Sequence, residues 1–171
     1  MNLEAVQEEI KGMKVRDILK RVDTSISFEF FPPKNEKAAE TLYKNIEDLI
    51  PLKPTFVSVT YGAGGTTRRL THELVLRIRR MTGLTVVPHL TCVGSSKDEI
   101  CEIVGRYAEA GIENILALRG DPPQGETEFK PLDDGFTCAT DLIRFIKKGV
   151  SEYRHRSSLL PRRTQGHTQP S

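Results

Sequence analysis

The run TFVSVTYGAGGTTR, Thr55–Arg68, joins an apolar strand-like segment to a glycine-rich turn, and a stretch with helical spacing of apolar residues follows it. Glycine-rich turns after strands bind phosphates in many nucleotide-binding proteins. This turn lacks both the Gly-Lys-Ser/Thr ending of a P-loop and the three-glycine spacing of a Rossmann turn. By itself it therefore identifies no nucleotide site. The order of strand, turn and helix is more informative, because it repeats along the chain.

Four runs of β-branched and aromatic residues predict strands, at Ser25–Phe31, Thr55–Thr60, Thr85–Leu90 and Asn114–Leu118. Their starts lie 30, 30 and 29 residues apart. Apolar residues at helical spacing follow each run. Four successive strand–helix units favour a parallel sheet, because parallel neighbours need a crossover that helices usually supply.

Proline, glycine and capping residues predict where the helices begin and end. The helices after the four strands are expected to end before Pro51, near Gly83, at Gly111 and near Lys148. Ser96 with Glu99 has the spacing of a capping box and predicts the start of the third of these helices. A further helix, from about Leu3 to Val22, is expected before the first strand.

Two architectures fit this pattern: a doubly wound open sheet, and part of a (βα)8 barrel, whose usual size is about 250 residues. The alternation of side chains along the strands favours the barrel, because each strand has an apolar face and an opposite face that turns polar near its carboxyl end. The inner face is predicted to carry Ser27, Glu29, Ser58, Thr60, Val87, His89, Ile115, Ala117 and Arg119.

Composition indicates a soluble globular chain of 171 residues, either one domain or part of a larger one. No apolar run has the length of a membrane span, and the amino-terminal segment MNLEAVQEEIKGMK is too polar and acidic for a signal or transit peptide. The cysteines Cys92, Cys101 and Cys138 lack the spacing of metal ligands, so no metal is expected. Scattered reduced thiols are typical of a cytoplasmic protein.

The net charge of +2 is unevenly distributed. From Lys147 onward six Lys and Arg residues face one acidic residue, which gives +5, so the preceding residues sum to −3. The basicity thus comes from the tail and is poor evidence for nucleic-acid binding. Neither nucleic acid nor a membrane is expected as a partner.

Four motifs in register give the chain a family resemblance: SFEFFPPK from Ser27, FVSVTYGAGG from Phe56, PHLTC from Pro88 and ALRGDPP from Ala117. In these motifs the chain resembles the methylenetetrahydrofolate reductases, from about Ser25 to Lys148. The resemblance implies a (βα)8 barrel that binds FAD. It also implies NADH or NADPH as hydride donor and the reduction of 5,10-methylenetetrahydrofolate to 5-methyltetrahydrofolate.

The resemblance also implies the roles of individual residues. Glu29 matches the catalytic acid of the family, and Asp121 matches a position that approaches both the flavin ring and the folate. The positions that match flavin-contacting residues are Thr60, Tyr61, Ala63, His89, Arg119, Gly120, Asp121 and Ala139. The glycine-rich turn would then be a strand-end loop over the flavin.

The residue types suit this chemistry. Opening the five-membered ring of the folate requires a proton on the departing nitrogen, and Glu29, flanked by Phe28, Phe30 and Phe31, should be poorly solvated and remain partly protonated. Asp121 would disfavour negative charge on the flavin and stabilise a cationic iminium form of the folate. Structural alternatives remain open. Glu29 could face water at a strand edge, Asp121 could form a salt-bridged turn, and His89 could be a core histidine.

The chain departs from the family after Lys148, where polar residues replace the expected fifth strand. Only GHTQ, near the end, is similar to the missing loop, and Cys138 stands where several relatives have an aromatic residue. The predicted organisation is an amino-terminal helix in 1–24, a partial barrel in 25–148 and a disordered basic tail in 149–171. A truncated or frame-shifted product is expected, with impaired activity.

Half a barrel has two open sheet edges and an inner apolar face without an opposing wall. A second interpretation is therefore a non-catalytic fragment that only associates with a partner. In either case we expect self-association into a homo-oligomer.

Overall fold

The computed structural model describes residues 8–61, 65–122 and 125–157. For residues 65–68 and 149–157, which lie in helices, it describes the backbone alone. Four strands form one parallel sheet in the order β1-β2-β3-β4. The strands are β1 (Ser27–Phe30), β2 (Phe56–Val59), β3 (Val86–Thr91) and β4 (Leu116–Leu118). Each lies in a predicted strand or within one residue of it, so the predicted α/β class with a parallel sheet of a partial (βα)8 barrel is confirmed.

Helices connect the strands and cover one face of the sheet. They are α1 (Val15–Ile18), α2 (Glu36–Leu49), α3 (Gly65–Thr82), α4 (Lys97–Glu109) and α5 (Ala139–Ser157). A 3₁₀ turn, Ile50–Leu52, follows α2. None of the helices in the described ranges is long and apolar enough to cross a membrane.

Local sequence explains the bounds of the helices. The predicted capping box of α4 is confirmed: the Ser96 N–H donates to Glu99 Oε2 at 2.8 Å, and the Glu99 N–H donates to Ser96 Oγ at 3.2 Å. At the start of α2, Asn35 accepts a hydrogen bond from the Ala38 N–H at 2.9 Å. Gly111 follows α4 with φ +70°, a conformation that glycine adopts without strain.

The ends of the chain differ from expectation. The single helix predicted from Leu3 to Val22 is wrong, because a helical turn ends at Ile10 and the chain bends at Gly12, where φ is +72°, before α1 begins. The bend lets both Ile10 and Ile18 be buried. At the other end, α5 continues to Ser157, nine residues beyond its predicted end near Lys148. The rest of the predicted tail, 158–171, lies outside the described residues, and the predicted domain boundaries stay a prediction.

The hydrophobic core lies between the sheet and the helices, in two clusters. The first cluster joins β1, β2 and β3 to α3 and includes Phe30, Val57, Val59 and Val86. The second joins the carboxyl half of β3 to α4 and α5 through Leu90, Ile100 and Leu142. Phe30, Val57 and Val59 therefore face the helices, and Phe28 packs against the first cluster, as the alternation along β1 and β2 predicts.

The facing of β4 is opposite to the prediction. Ala117 pairs with the fully buried Leu90 and packs with Ile115 against the core, whereas Leu116 and Leu118 are 44% and 38% exposed on the inner face. The expectation that Ile115 and Ala117 line the inner face is wrong. That expectation was based on the polarity of Arg119. Arg119 lies beyond the end of β4, so its polarity does not indicate which residues of the strand face inward.

Candidate functional site

Three polar side chains meet on the inner face of the sheet. Ser58 is the register partner of Glu29, and its Oγ donates to Glu29 Oε2 at 3.3 Å. His89 Nε2 lies 3.4 Å from the same oxygen. Since β2 lies between β1 and β3, the carboxylate of Glu29 reaches over the neighbouring strand to contact His89.

Glu29 is more solvated than the sequence suggested. Its side chain is 49% exposed, because Phe28 and Phe30 pack behind the sheet and Phe31 is itself 70% exposed. The expected desolvation of Glu29 by its phenylalanine neighbours is therefore wrong. Its carboxylate contacts Ser58 and His89, so Glu29 is not an isolated strand-edge residue that faces only water.

His89 is the buried member of this group, with a side chain only 9% exposed. Burial lowers the pKa of His89 from its ordinary 6.5, and the carboxylate of Glu29 offsets part of that effect. The imidazole is therefore neutral near pH 7. Its Nε2 is buried and makes no hydrogen bond among the described residues, because the approach to Glu29 lacks hydrogen-bonding geometry. A neutral, buried and unpaired ring nitrogen suits a ligand that completes the bond.

Thr60 and Tyr61 both follow β2, but they lie in different surroundings. Val59 and Pro88 are register partners in β2 and β3. Thr60 comes directly after Val59 and His89 directly after Pro88, so Thr60 and His89 lie at the same level of the sheet. The Thr60 N–H donates to Phe30 O at 2.9 Å and holds this residue in line with the sheet. Tyr61 packs instead against the second core cluster, with the centre of its ring 6.2 Å from the centre of the His72 ring. Ala63 lies outside the described residues.

The turn after β4 requires a glycine at position 120. Gly120 has φ +84°, and a Cβ there would lie 2.7 Å from Val93 Cγ2. Arg119 donates through Nε to Gly120 O at 3.3 Å, and its guanidinium carbon lies 5.6 Å from the centre of the Phe129 ring. Asp121 is exposed and forms no ion pair within the described ranges, so the alternative of a salt-bridged turn has no support there.

Ala139 begins α5 close to the carboxyl ends of β3 and β4. The Cys92 N–H donates to Leu118 O and Arg119 O, both at 3.1 Å, which joins the ends of these strands. Burial, with Cys138 and Asp141 adding to it, raises the pKa of Cys92 from 9.0 to about 11. Leu142 in the first turns of α5 packs with Leu90 and Cys92 in one buried cluster, so the start of α5 lies near the strand ends.

The structure thus brings Glu29, Thr60 and His89 to one face and sets the turn Arg119–Asp121 beside the end of β3. Sequence reasoning placed Ser58 on this face but not among the site residues. The sequence did contain a signal for the contact between Ser58 and Glu29. Each of these polar residues lies two positions after the first residue of its strand, and the two residues are register partners.

Comparison with known proteins agrees with the motifs. The profile of the family described as methylenetetrahydrofolate reductase matches residues 14–164. Methylenetetrahydrofolate reductase (NADH) 1 of Arabidopsis thaliana is 38% identical over 140 residues, which are 82% of this chain and 24% of that protein. The 5,10-methylenetetrahydrofolate reductase of Pectobacterium carotovorum is 45% identical over 146 residues, which are 84% of this chain and 46% of that protein. The chain therefore spans less than half the length of these relatives.

Proposed function

Because the chain belongs to the methylenetetrahydrofolate reductase family, we propose that the carboxyl edge of its sheet is the FAD-facing part of a site that reduces 5,10-methylenetetrahydrofolate to 5-methyltetrahydrofolate. NADH or NADPH is the proposed hydride donor, and the names of the plant relatives favour NADH. The observation that carries the proposal is the approach of Glu29 to His89 across β2.

The described residues fit a flavin. His89 Nε2 is buried without a hydrogen bond, and the Thr60 hydroxyl donates to Phe30 O at 3.4 Å but can still accept a hydrogen bond. Both residues lie at one level of the sheet, where a flat ring with N–H and carbonyl groups would bond to them. The residues proposed to hold FAD are Thr60, Tyr61, Ala63, His89, Arg119, Gly120, Asp121 and Ala139. When bound, FAD would supply the transfer of hydride from the nicotinamide to the folate.

Glu29 is the proposed proton donor to the folate nitrogen that departs when the ring opens. Among the described residues, Ser58 and His89 contact Oε2 of Glu29, so we place the proton for the substrate on Oε1. Half exposure of the side chain leaves room for the substrate to reach it. The hydrogen bond from Ser58 holds the carboxylate in position, and neutral His89 beside it does not compete as an acid.

Asp121 is proposed to act through charge. Its exposed carboxylate would oppose negative charge on the flavin and favour a cationic form of the folate. The rigid turn at Gly120 fixes its backbone relative to β3 and β4. This role of Asp121 needs no hydrogen bond to the substrate.

The direct test is to incubate the purified chain anaerobically with FAD, 5,10-methylenetetrahydrofolate and either NADH or NADPH, and to measure 5-methyltetrahydrofolate. Product with one or both donors supports the proposal and identifies the donor. Neither nucleic acid nor a membrane is proposed as a partner, and the cytoplasm is the proposed location.

A second candidate function is association without catalysis. The exposed Leu116 and Leu118 on the inner face favour it, because apolar surface of this kind binds other protein surfaces. Bound flavin separates the two candidates: the reductase retains FAD, whereas a purely associating fragment does not.

A further inference from the structure

Three ring-bearing side chains meet on the helix side of the sheet. Tyr61 follows β2, His72 lies in α3 and Tyr107 lies in α4. The ring centres of Tyr61 and His72 are 6.2 Å apart, and those of His72 and Tyr107 are 5.4 Å apart. Both pairs meet edge to face, the arrangement that aromatic rings prefer at these distances. His72 therefore links the residue that follows β2 to a neighbouring helix.

The contact between His72 and Tyr107 is a hydrogen bond within the core. His72 Nδ1 and the Tyr107 hydroxyl share this bond at 2.6 Å. Tyr107 is only 1% exposed and belongs to the first core cluster. Burial raises the pKa of Tyr107 above its ordinary 10, with Tyr61 adding to the effect, so the hydroxyl keeps its proton at neutral pH. Because close packing fixes Tyr107, the bond fixes the orientation of the His72 ring.

The ring of Tyr61 lies on the opposite side of the sheet from the candidate site. Along β2, Val57 and Val59 face the helices, so the alternation sets Thr60 on the inner face and Tyr61 on the helix side. Tyr61 accordingly packs against the second core cluster. Its ring therefore affects the inner face through the backbone that it shares with Thr60.

Thr60 is the residue of the site that this anchor holds. Its N–H donates to Phe30 O at 2.9 Å, and it lies level with His89. Tyr61 is the next residue along the chain, so a single peptide unit transmits a movement of Tyr61 to Thr60. A displaced Thr60 would no longer lie level with His89.

We propose that His72 and Tyr107 are positioning residues, which act through Tyr61 to hold Thr60 level with His89. Tyr107 orients the ring of His72, and His72 supports the ring of Tyr61. The consequence for FAD rests on the proposed function, whereas the effect on Thr60 is independent of any ligand.

Amide hydrogen exchange of the full 171-residue chain without FAD tests the positioning. Tyr107→Phe removes the hydroxyl that bonds His72 but keeps the ring. Exchange of the Thr60 N–H should therefore become about threefold to tenfold faster. The Val57 N–H, which donates to a carbonyl of β3's approach, is the internal reference and should change by less than about twofold. A loss of stability throughout the fold would accelerate both amides alike.

The matched control is Tyr43→Phe, which makes the same chemical change at a different place. Tyr43 lies in α2, and its ring packs 3.6 Å from the guanidinium carbon of Arg77. Exchange of the Thr60 N–H should be unchanged in this variant. His72→Gln is a second test variant in case Tyr107→Phe lowers the helix content seen by circular dichroism. It removes the ring beside Tyr61 and should also accelerate exchange at Thr60.

Tyr61→Leu tests whether the effect passes through Tyr61. This change should itself accelerate exchange at Thr60. Adding Tyr107→Phe to it should have little further effect, because the ring through which Tyr107 acts is absent.

Affinity for FAD, measured by quenching of flavin fluorescence, tests the consequence for the site. Tyr107→Phe should weaken binding by about threefold or more, and Tyr43→Phe should leave it unchanged. If the unaltered chain bound no FAD, the proposed function would fail, while the exchange rates would still decide the positioning. Unchanged exchange at Thr60 in both Tyr107→Phe and His72→Gln, equal acceleration at Val57, or full additivity with Tyr61→Leu would overturn the positioning. Normal FAD affinity of Tyr107→Phe would overturn its consequence for the flavin.

Discussion

Glu29 Oε2 lies 3.4 Å from His89 Nε2, although β2 separates the strands that carry them. Ser58, the residue of β2 beneath this contact, donates to the same oxygen. The half-exposed carboxylate is therefore held by one hydroxyl and approached by one buried imidazole. This arrangement makes the titration of His89 a probe of the site.

Glu29→Gln should lower the pKa of His89 further, because the carboxylate offsets part of the lowering that burial causes. NMR titration of the His89 ring protons measures the change. Ser58→Ala is the matched control: it removes the hydroxyl that contacts Glu29 but leaves the charge, so it should move the His89 pKa less. An equal or larger effect of Ser58→Ala would contradict the charge argument.

The stability of the chain should fall as pH drops below about 6.5. His89 has a lower pKa in the folded chain than its ordinary 6.5, so the unfolded chain binds a proton first. Stability from this residue is full above 6.5 and is lost as pH falls through the window below it. Urea midpoints at pH 7.5 and 5.5 measure the loss. His89→Asn should show a smaller difference between the two midpoints, and an unchanged difference would rule out His89 as its source.

Gly120→Ala should destabilise the chain by about 2–4 kcal/mol, since it combines backbone strain at positive φ with overpacking. The new Cβ would lie 2.7 Å from Val93 Cγ2 and 3.1 Å from Thr91 Cβ. Gly125→Ala is the control: φ there is +94°, but a Cβ meets no atom within 4 Å. That variant should lose only about 1–2 kcal/mol, from strain alone. Equal losses in urea unfolding would mean that the contact with Val93 is unimportant.

Glu29→Gln should abolish folate reduction while leaving reduction of the flavin by the nicotinamide intact. Protonation of the folate needs the acid, whereas hydride transfer to the flavin does not. Stopped-flow absorbance of the two half-reactions separates them, in a chimaera that continues this chain into the remainder of the Pectobacterium relative. Ser27→Ala, on the same strand and face, is the control. Equal damage to both half-reactions by Glu29→Gln would assign Glu29 a structural role.

Local patterns in the sequence predicted the parts of the fold that depend on neighbours along the chain. The strands around Phe28, Val57 and Val86 and the capping box at Ser96 follow from short runs of residues. The break at Gly12 did not follow, because it depends on a long-range bond from the Gly12 N–H to Thr85 Oγ1 at 3.0 Å.

The facing of β4 and the contacts of Glu29 were beyond local patterns for a different reason. In β4 both faces carry apolar residues, so hydrophobic alternation does not distinguish them, and the pairing of Ala117 with Leu90 decides. The contact between Glu29 and His89 depends on the register of three strands. The family resemblance named both residues but not their proximity.

The most direct test of the proposed flavin site is a titration of FAD into the purified chain, followed by quenching of flavin fluorescence. The account predicts saturable binding, weakened about tenfold by His89→Leu through the loss of one buried hydrogen bond. Ser27→Ala should leave the affinity unchanged. Absence of saturable binding, or equal affinity of the His89→Leu and unaltered chains, would contradict the assignment of this face to FAD.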